Sequence, residues 1–323
     1  MPDLQEQILA CTGARTIRQS QPVQDLWSGY GKIVRCSLQY DDNAVDAEPG
    51  SVIVKQIQPP AKPSHPRGWN TDASAQRKLH SYRVEEIWYR LYAESARGVC
   101  EMPRLMASHA SVEQTWLILE DLDIAYPARY TQLGVEACLP CLRWLARFHA
   151  YHLQSSGEGL WPIGTYWHLQ TRLDEFEAMA PGPLKEAAHA LDSKLENCQF
   201  KTLVHGDAKV ANVCFSQNGR EVAMLDFQYV GRGCGIRDVV YFLGSALTET
   251  QCEQNSDRLL TAYFAELLAH SPAALLHDLE SEWRGLYAIA WADFHRFLAG
   301  WMPEHQKINR YTRAMTNMAL AQL

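Results

Sequence analysis

Apolar and polar positions follow two different rhythms along the chain. Over the first 57 positions the β-rich stretches "KIVRCSLQY" (32–40) and "SVIVKQI" (51–57) are separated by the turn-forming "DDNAVDAEPG", which predicts two strands of one sheet. The next stretch, "QPPAKPSHPRGWN" (58–70), holds four prolines and a glycine and predicts a long loop. Thr71 and Asp72 are both competent N-caps for a helix running to about Arg97, with Leu79, Tyr82, Ile87, Trp88, Leu91 and Tyr92 mostly at helical spacing. "TWLILEDL" (115–122) predicts a buried strand ending in acidic residues, and the turn-prone "DIAYPARY" follows it.

Beyond that point helical spacing takes over. Leu133, Cys138, Leu142, Leu145, Ala146 and His149 predict a helix over 133–153, with Pro140 as its one unfavourable residue, and similar patterns recur at 168–197, 236–247, 256–269 and 280–301. The strong β signals of this half are "KTLVHGD", "NVCFS" and "VAMLDF", the last two joined through "QNGRE", whose Asn-Gly suits a hairpin turn. The expected fold class is therefore α+β. Residues 1–122 form a small β-rich lobe with one long helix, and residues 123–323 a larger, mainly helical lobe.

Composition narrows the function classes. A chain of 323 residues exceeds what one core usually serves, which agrees with two lobes. It is 47% hydrophobic and 21% charged, as ordinary globular proteins are. Its net charge of -7 is evenly spread, with 13 Lys+Arg against 16 Asp+Glu up to residue 125 and 17 against 21 after it. Neither half offers the basic footprint of a nucleic-acid binder. No apolar run approaches the roughly 18 residues that span a bilayer, and "MPDLQEQILACTGA" lacks the pattern of a signal peptide, so a cytoplasmic location and no membrane partner are expected. Nine scattered cysteines argue against a disulfide framework; "CLPC" (138–141) lies inside a helical pattern, where its thiols read as buried spectators.

The chemistry concentrates in "LVHGDAKVANVCFS" (203–216) and "VAMLDF" (222–227). A carboxylate at 207 and a carboxamide at 212, on the loop between two short strands, can converge with the carboxylate at 226 arriving from the neighbouring hairpin strand. Mg2+ takes oxygen ligands and commonly binds through one or two carboxylates together with substrate phosphates. Asn212 and Asp226 supply such oxygens, leaving Asp207 to accept a proton from an attacking hydroxyl or to orient it.

These residues carry a resemblance. "HGDAKVAN" matches the His-x-Asp-x-x-x-x-Asn catalytic loop of protein-kinase-like enzymes, and "LDF" resembles their metal-binding strand. Gly206 and the "LDFQ" ending resemble the small-molecule branch: aminoglycoside phosphotransferases, choline kinases and ecdysteroid-kinase-like proteins, the last most of all. The resemblance covers roughly residues 26–245. It implies a bilobal protein-kinase-like fold, ATP and Mg2+ as cofactors, and a small-molecule hydroxyl acceptor.

It also implies roles for further residues. Lys55 stands where the superfamily places its phosphate-binding strand lysine, and Glu85 where the long helix supplies that lysine's carboxylate partner, with Glu86 the neighbouring alternative. Taken singly, a strand lysine is ordinarily edge solvation and a helix glutamate ordinarily surface; their order along the chain is what gives them weight. Gly29 and Gly31 would belong to the turn covering the nucleotide. Glu120 and Leu122 would lie in the hinge, where adenine is read by backbone groups. Lys209 is either a group near the transferred phosphoryl or a solvated loop lysine, His205 a packed loop anchor, and Asp238 a brace for the catalytic-loop backbone.

Departures from the protein kinases matter as much. Ten residues separate Phe227 from Asp238 and there is no Ala-Pro-Glu, so no activation segment fits and no protein substrate is expected. Trp283, Tyr287, Trp291, Phe294 and Trp301 read mainly as core, with one or two of them, near Asp293 or Arg296, available to line an acceptor pocket. His149 and His152 read as surface or core residues without a nearby carboxylate. A metal-dependent phosphohydrolase would need tighter histidine motifs than this chain has. A nucleotide-binding pseudokinase remains the alternative, because a sequence identifies parts and not turnover.

Overall fold

The computed structural model describes residues 4–41, 49–59, 71–111, 114–272 and 276–323. Most of the turn expected at 41–50 and of the loop expected at 58–70 lies outside these residues. The chain divides into two compact units, one of residues 1–97 and 102–125, the other of residues 98–101 and 126–323.

The first unit is a five-stranded antiparallel sheet in the order β1-β2-β3-β5-β4, from β1 (Thr16–Asp25), β2 (Gly31–Gln39), β3 (Ser51–Ile57), β4 (Leu105–Ala110) and β5 (Thr115–Glu120). Helix α1 (Leu4–Thr12) packs Ile8 against one face, together with Val34, Cys36, Val52, Val54 and Ile118. Side chains alternate across a strand, so Val52 and Val54 turn to that face and Lys55 to the other. Helix α2 (Asp72–Trp88) lies on Lys55's side; the Thr71 hydroxyl caps it by accepting from Ser74 N at 3.1 Å. A π turn (Tyr89–Ala93) and a short α3 (Glu94–Ala96) carry the helix on to where its pattern predicted it would end.

Two elements of this unit, α1 and β1, escape the hydrophobic pattern. Strand β1 is polar and exposed over almost its whole length, an edge strand held by β2 rather than by burial. It belongs to the sheet mainly through its ladder, with Ile17 alone packing on the core under α1, and no periodicity announces that.

The second unit is mainly helical: α4 (Cys138–Tyr151), α5 (Leu173–Ala178), α6 (Pro183–Glu186), α7 (Ala188–Glu196), α8 (Ile236–Ala246), α9 (Glu249–Ala269), α10 (Leu276–Gly285), α11 (Tyr287–Trp301) and α12 (Arg310–Leu320). Two small antiparallel pairs are set among them, β6 (Thr202–Val204) with β9 (Gly231–Gly233) and β7 (Val213–Phe215) with β8 (Val222–Met224). The helical stretch expected at 168–197 is broken into three, because Pro181, Gly182 and Pro183 interrupt it and Gly182 adopts φ +154°. No described helix is long and apolar enough to cross a membrane.

Most of the late aromatic series is interior. Trp283, Tyr287, Trp291 and Phe294 are buried, and only Trp301 remains half-exposed. Asp293 and Arg296 are interior as well: the guanidinium pairs with the carboxylate at 2.9 Å and donates to Trp167 O, while Trp167 Nε1 donates to Asp293 at 3.1 Å. They tie α11 to the segment before α5 and are not pocket groups. Nearby, His168, Asp192 and Glu196 present ligand atoms within 4.8 Å of one another. Arg237 reaches Glu196 at 3.2 Å, so a positive charge is already supplied there. All nine cysteines are free, and burial pushes Cys138 up to about 12 and Cys141 well above the usual thiol range.

Candidate active site

The loop from His205 to Asn212 leaves β6 and enters β7 through a 3-10 turn (Val210–Asn212). In the β7–β8 hairpin Val213 pairs with Met224, so Asn212 and Asp226 emerge from its open end, where Leu225 N donates to Asn212 O at 3.1 Å. Asp226 has φ +71°, a left-handed backbone rare for a residue with a side chain and often a mark of functional sites. Phe227 behind it is fully buried against His205, with ring centroids 4.6 Å apart, and Trp144 and Phe148 lie further out.

Each member of the loop has a definite partner. Asn212 Nδ2 donates to Asp207 O at 2.9 Å and to Asp207 Oδ2 at 3.1 Å. Lys209 Nζ donates to the same Oδ2 at 2.8 Å, so Oδ2 is saturated. Asp207 Oδ1 is buried and has no hydrogen-bond partner among the described residues. Burial alone would lower the Lys209 pKa, but Asp207 and Asp226 outweigh it and raise the ammonium's pKa. The lysine thus belongs to the carboxylate pair and is only partly solvated.

His205 is an anchor. Its Nε2 lies 3.1 Å from Leu225 O and must donate to that carbonyl, while Nδ1 accepts from Asp207 N at 3.3 Å. Burial lowers its pKa, against the pull of Asp238, Asp207 and Asp226. The ring therefore holds the loop as a neutral imidazole. Gly206 has φ +79°, and a Cβ there would stand 2.1 Å from Tyr229 O, so this position accepts only glycine without rearrangement.

Asp238, on the first turn of α8, accepts the backbone N–H of both His205 and Gly206 and also meets His149 Nε2 at 3.1 Å. His149 therefore does have a carboxylate partner, contrary to its sequence reading. The pairing spans 89 residues, and no local spacing could have revealed it.

In the first unit Lys55 Nζ donates to both oxygens of Glu85, at 2.9 and 2.6 Å, with both side chains buried. Glu86 turns away to Arg90 Nε at 2.9 Å and Ser108 Oγ at 3.0 Å, so Glu85 is the partner. Gly29 and Gly31 flank Tyr30 at the β1–β2 turn; a Cβ on Gly31 would stand 2.0 Å from Gln56 O, which makes close packing on β3 its structural requirement. Glu120 N donates to Arg104 O at 2.9 Å and Glu120 Oε2 accepts from Arg104 N, so the amide is committed within the sheet. Leu122 opens a 3-10 turn and its carbonyl accepts from Ala125 N at 3.2 Å.

The donor set suits Mg2+: a carboxamide oxygen on Asn212, whose nitrogen is already spent on Asp207, and the Asp226 carboxylate. Among solved structures, a candidate aminoglycoside phosphotransferase of Ralstonia eutropha JMP134 is similar at TM-score 0.51 and 11% identity, covering 98% of this chain and 94% of that one. A candidate fructosamine-3-kinase of Haemophilus somnus 129PT is similar at TM-score 0.50 and 12% identity, covering 99% and 96%. The chain has the protein-kinase-like fold.

Residues 165–274 of this protein-kinase-like chain match the ecdysteroid kinase-like family. An uncharacterized kinase-like protein of Caenorhabditis elegans is 26% identical over a match covering 45% of each chain, so the chain spans less than half the length of that curated relative. Together these likenesses make the chain similar to kinase-like small-molecule phosphotransferases.

The sequence reading missed three residues near Asp207. Tyr166, Tyr241 and Lys307 all interact electrostatically with its carboxylate. They come from positions 41 residues before Asp207 and 34 and 100 after it, and none belongs to a motif. Only the fold gathers them.

Proposed function

We propose that the chain is an ATP- and Mg2+-dependent phosphotransferase that phosphorylates a hydroxyl of a small molecule. The observation that carries the reading is the divided carboxylate of Asp207: Oδ2 is held by Lys209 and Asn212, while Oδ1 is buried and makes no hydrogen bond of normal geometry among the described residues, with the Tyr241 hydroxyl interacting with the same carboxylate. Leaving a buried carboxylate oxygen unpaired costs about 1–3 kcal/mol, a cost that an incoming hydroxyl would relieve.

In the proposed reaction Oδ1 takes the proton of the acceptor hydroxyl as its oxygen bonds to the γ-phosphorus. The bond from that phosphorus to the bridging oxygen breaks and ADP leaves. Lys209 and Asn212 orient the Asp207 carboxylate through Oδ2, and Asp238 keeps the loop backbone in place. Asn212 and Asp226 are the residues that would hold Mg2+, which when bound neutralises phosphate charge. In the first unit, proposed as the nucleotide-binding part, Lys55 held by Glu85 is the group for the α- and β-phosphates. Gly29, Gly31 and the backbone at Glu120 and Leu122 are assigned to the nucleotide as well. Positioning and charge neutralisation would supply most of the rate.

The small acceptor is supported by the stretch after Phe227. Its ten residues include β9, pair with β6 and run directly into α8, leaving no segment to dock a peptide. The kinase-like family and relative named above support the same reaction class.

The test is an ADP-release screen over choline-like, sugar, steroid and aminoglycoside alcohols, with and without Mg2+, on the wild type and Asp207→Ala. Acceptor-stimulated, Mg2+-dependent release that Asp207→Ala abolishes, with MgATP affinity kept within a few fold, is the expected result. Full activity in the variant would sink the assignment. ATP binding without release for any acceptor would favour a nucleotide-binding protein without turnover.

A further inference from the structure

Lys307 lies in the segment between α11 and α12, and its backbone is fixed at both ends. Its N–H donates to His305 Nδ1 at 3.1 Å and its carbonyl accepts from Thr312 Oγ1 at 2.7 Å. The side chain runs inward over aromatic faces, placing Nζ 4.8 Å from the Tyr241 ring centroid and 5.6 Å from that of Phe294. Among the described residues the ammonium has no ion-pair or hydrogen-bond partner. Burial lowers its pKa to about 8, while Asp207 pulls it up and Lys209 pushes it down, so the cation is close enough to the reacting carboxylate to feel both. It is still mostly protonated at neutral pH.

The surroundings extend this pair of charges into a surface. Tyr166 packs edge-on to Tyr241 at 5.4 Å and to Phe297 at 5.4 Å, and Trp301 stacks on Phe297 at 5.6 Å. Tyr166 and Trp301 are half-exposed, in contrast to the buried remainder of the late aromatic series. Beside Asp207 there is thus an aromatic face with a cation on it that, among the described residues, no side-chain carboxylate pairs directly. Among the described residues the two ring faces are the direct contacts of this half-buried charge, and an anion is what would complete them.

We propose that Lys307, standing on Tyr241 and Phe294, is the acceptor-recognition residue, and that the acceptor is an alcohol bearing an anionic group (carboxylate, sulfate or phosphate) on an apolar, ring-containing body. This rests on the reading of Asp207 as the group that receives the acceptor hydroxyl. Charge at such a site selects by repulsion as well as attraction, so Lys307 disfavours a quaternary ammonium or polyamine acceptor.

The test uses three alcohols of one shape and different charge: 4-(hydroxymethyl)benzoate, 1,4-benzenedimethanol and 4-(hydroxymethyl)-N,N,N-trimethylanilinium. Binding to the full chain is measured by calorimetry, and ADP release in parallel, for the wild type, Lys307→Met and Lys307→Glu, with melting curves as the folding control. A charge-assisted hydrogen bond contributes about 1.5–3 kcal/mol, so the wild type should favour the carboxylate over the neutral diol by roughly ten- to a hundredfold. Lys307→Met should erase that preference and Lys307→Glu should turn it toward the cation.

Carboxylate preference that depends on Lys307 but comes without ADP release would uphold the inference and sink the phosphotransferase reading. ADP release with no charge preference would do the reverse. Equal losses for all three alcohols in Lys307→Met, or no binding of any of them to the wild type, overturns the inference.

Discussion

The carboxylate of Asp238 accepts the backbone N–H of His205, joining the first turn of α8 to the start of the loop that carries Asp207. Its other oxygen accepts Gly206 N at 3.0 Å, and His149 Nε2 closes the set from α4, itself held by the Tyr263 hydroxyl 2.7 Å from Nδ1. Asp238→Ala would strand two buried amides and an imidazole N–H. Each stranded donor costs about 1–3 kcal/mol, so for the three a loss of at least about 3 kcal/mol is expected by urea denaturation. Asp238→Asn keeps one acceptor and should lose less. A loss below about 1 kcal/mol for the alanine variant would mean that the loop is not held through this residue.

Gly206 is a second, purely steric constraint on the same loop. Gly206→Ala combines φ +79° with a Cβ 2.1 Å from the backbone oxygen of Tyr229. Gly219 has φ +69° but open space around it, so Gly219→Ala pays the backbone term alone. The control should cost about 1 kcal/mol, and Gly206→Ala about 2–4 kcal/mol together with most of any Asp207-dependent transfer. Equal stability losses in the two variants would show that the contact with Tyr229 is easily relieved.

Local spacing made part of this legible. The α+β class, the long helix from Thr71 and the hairpin carrying Asn212 and Asp226 are all written in residues close together in sequence, where periodicity and turn chemistry act. Strand β1 left no trace because all its residues but Ile17 are exposed and it joins the sheet mainly through backbone bonds. His149 and Lys307 were unreadable for another reason: the carboxylate that His149 meets and the one whose field Lys307 feels lie 89 and 100 residues away, and a histidine or lysine has no preferred spacing to a group supplied by the fold. The aromatic series along α10 and α11 did read mainly as core, but the same pattern also offered one or two of its members, near Asp293 or Arg296, for a pocket, when those two charges pair inside the helical unit.

Lys55 and Glu85 give a stability prediction independent of activity. Both are buried and bound through two contacts, so removing either partner takes away the bidentate counter-charge of the other. Lys55→Met and Glu85→Met should each cost about 3–5 kcal/mol, whereas the double variant should cost far less than their sum, because breaking a buried pair is worse than replacing it. Double-mutant-cycle denaturation reads the coupling directly. Additive losses would mean that the two side chains do not share one interaction in solution.

The last prediction concerns acid. His295 is buried on α11 with Nδ1 2.8 Å from Thr316 Oγ1, and burial, aided by the charge of Arg313, lowers its pKa from 6.5 to about 4. Between those values the unfolded chain binds a proton that the folded chain refuses, so stability rises with pH across about pH 4 to 6.5 and is lost on acidification through the same window. The shift corresponds to about 3 kcal/mol at its full extent. His152, lowered to about 4 by burial and by His149, adds a slope of the same sign. His295→Asn retains a group that can meet Thr316 but cannot titrate. Its denaturation free energy should therefore fall less steeply than the wild type's as pH drops from 6.5 to 4, while the two curves run parallel above pH 7. Curves that stay parallel throughout would place His295 in a solvated environment, against its burial between α11 and α12.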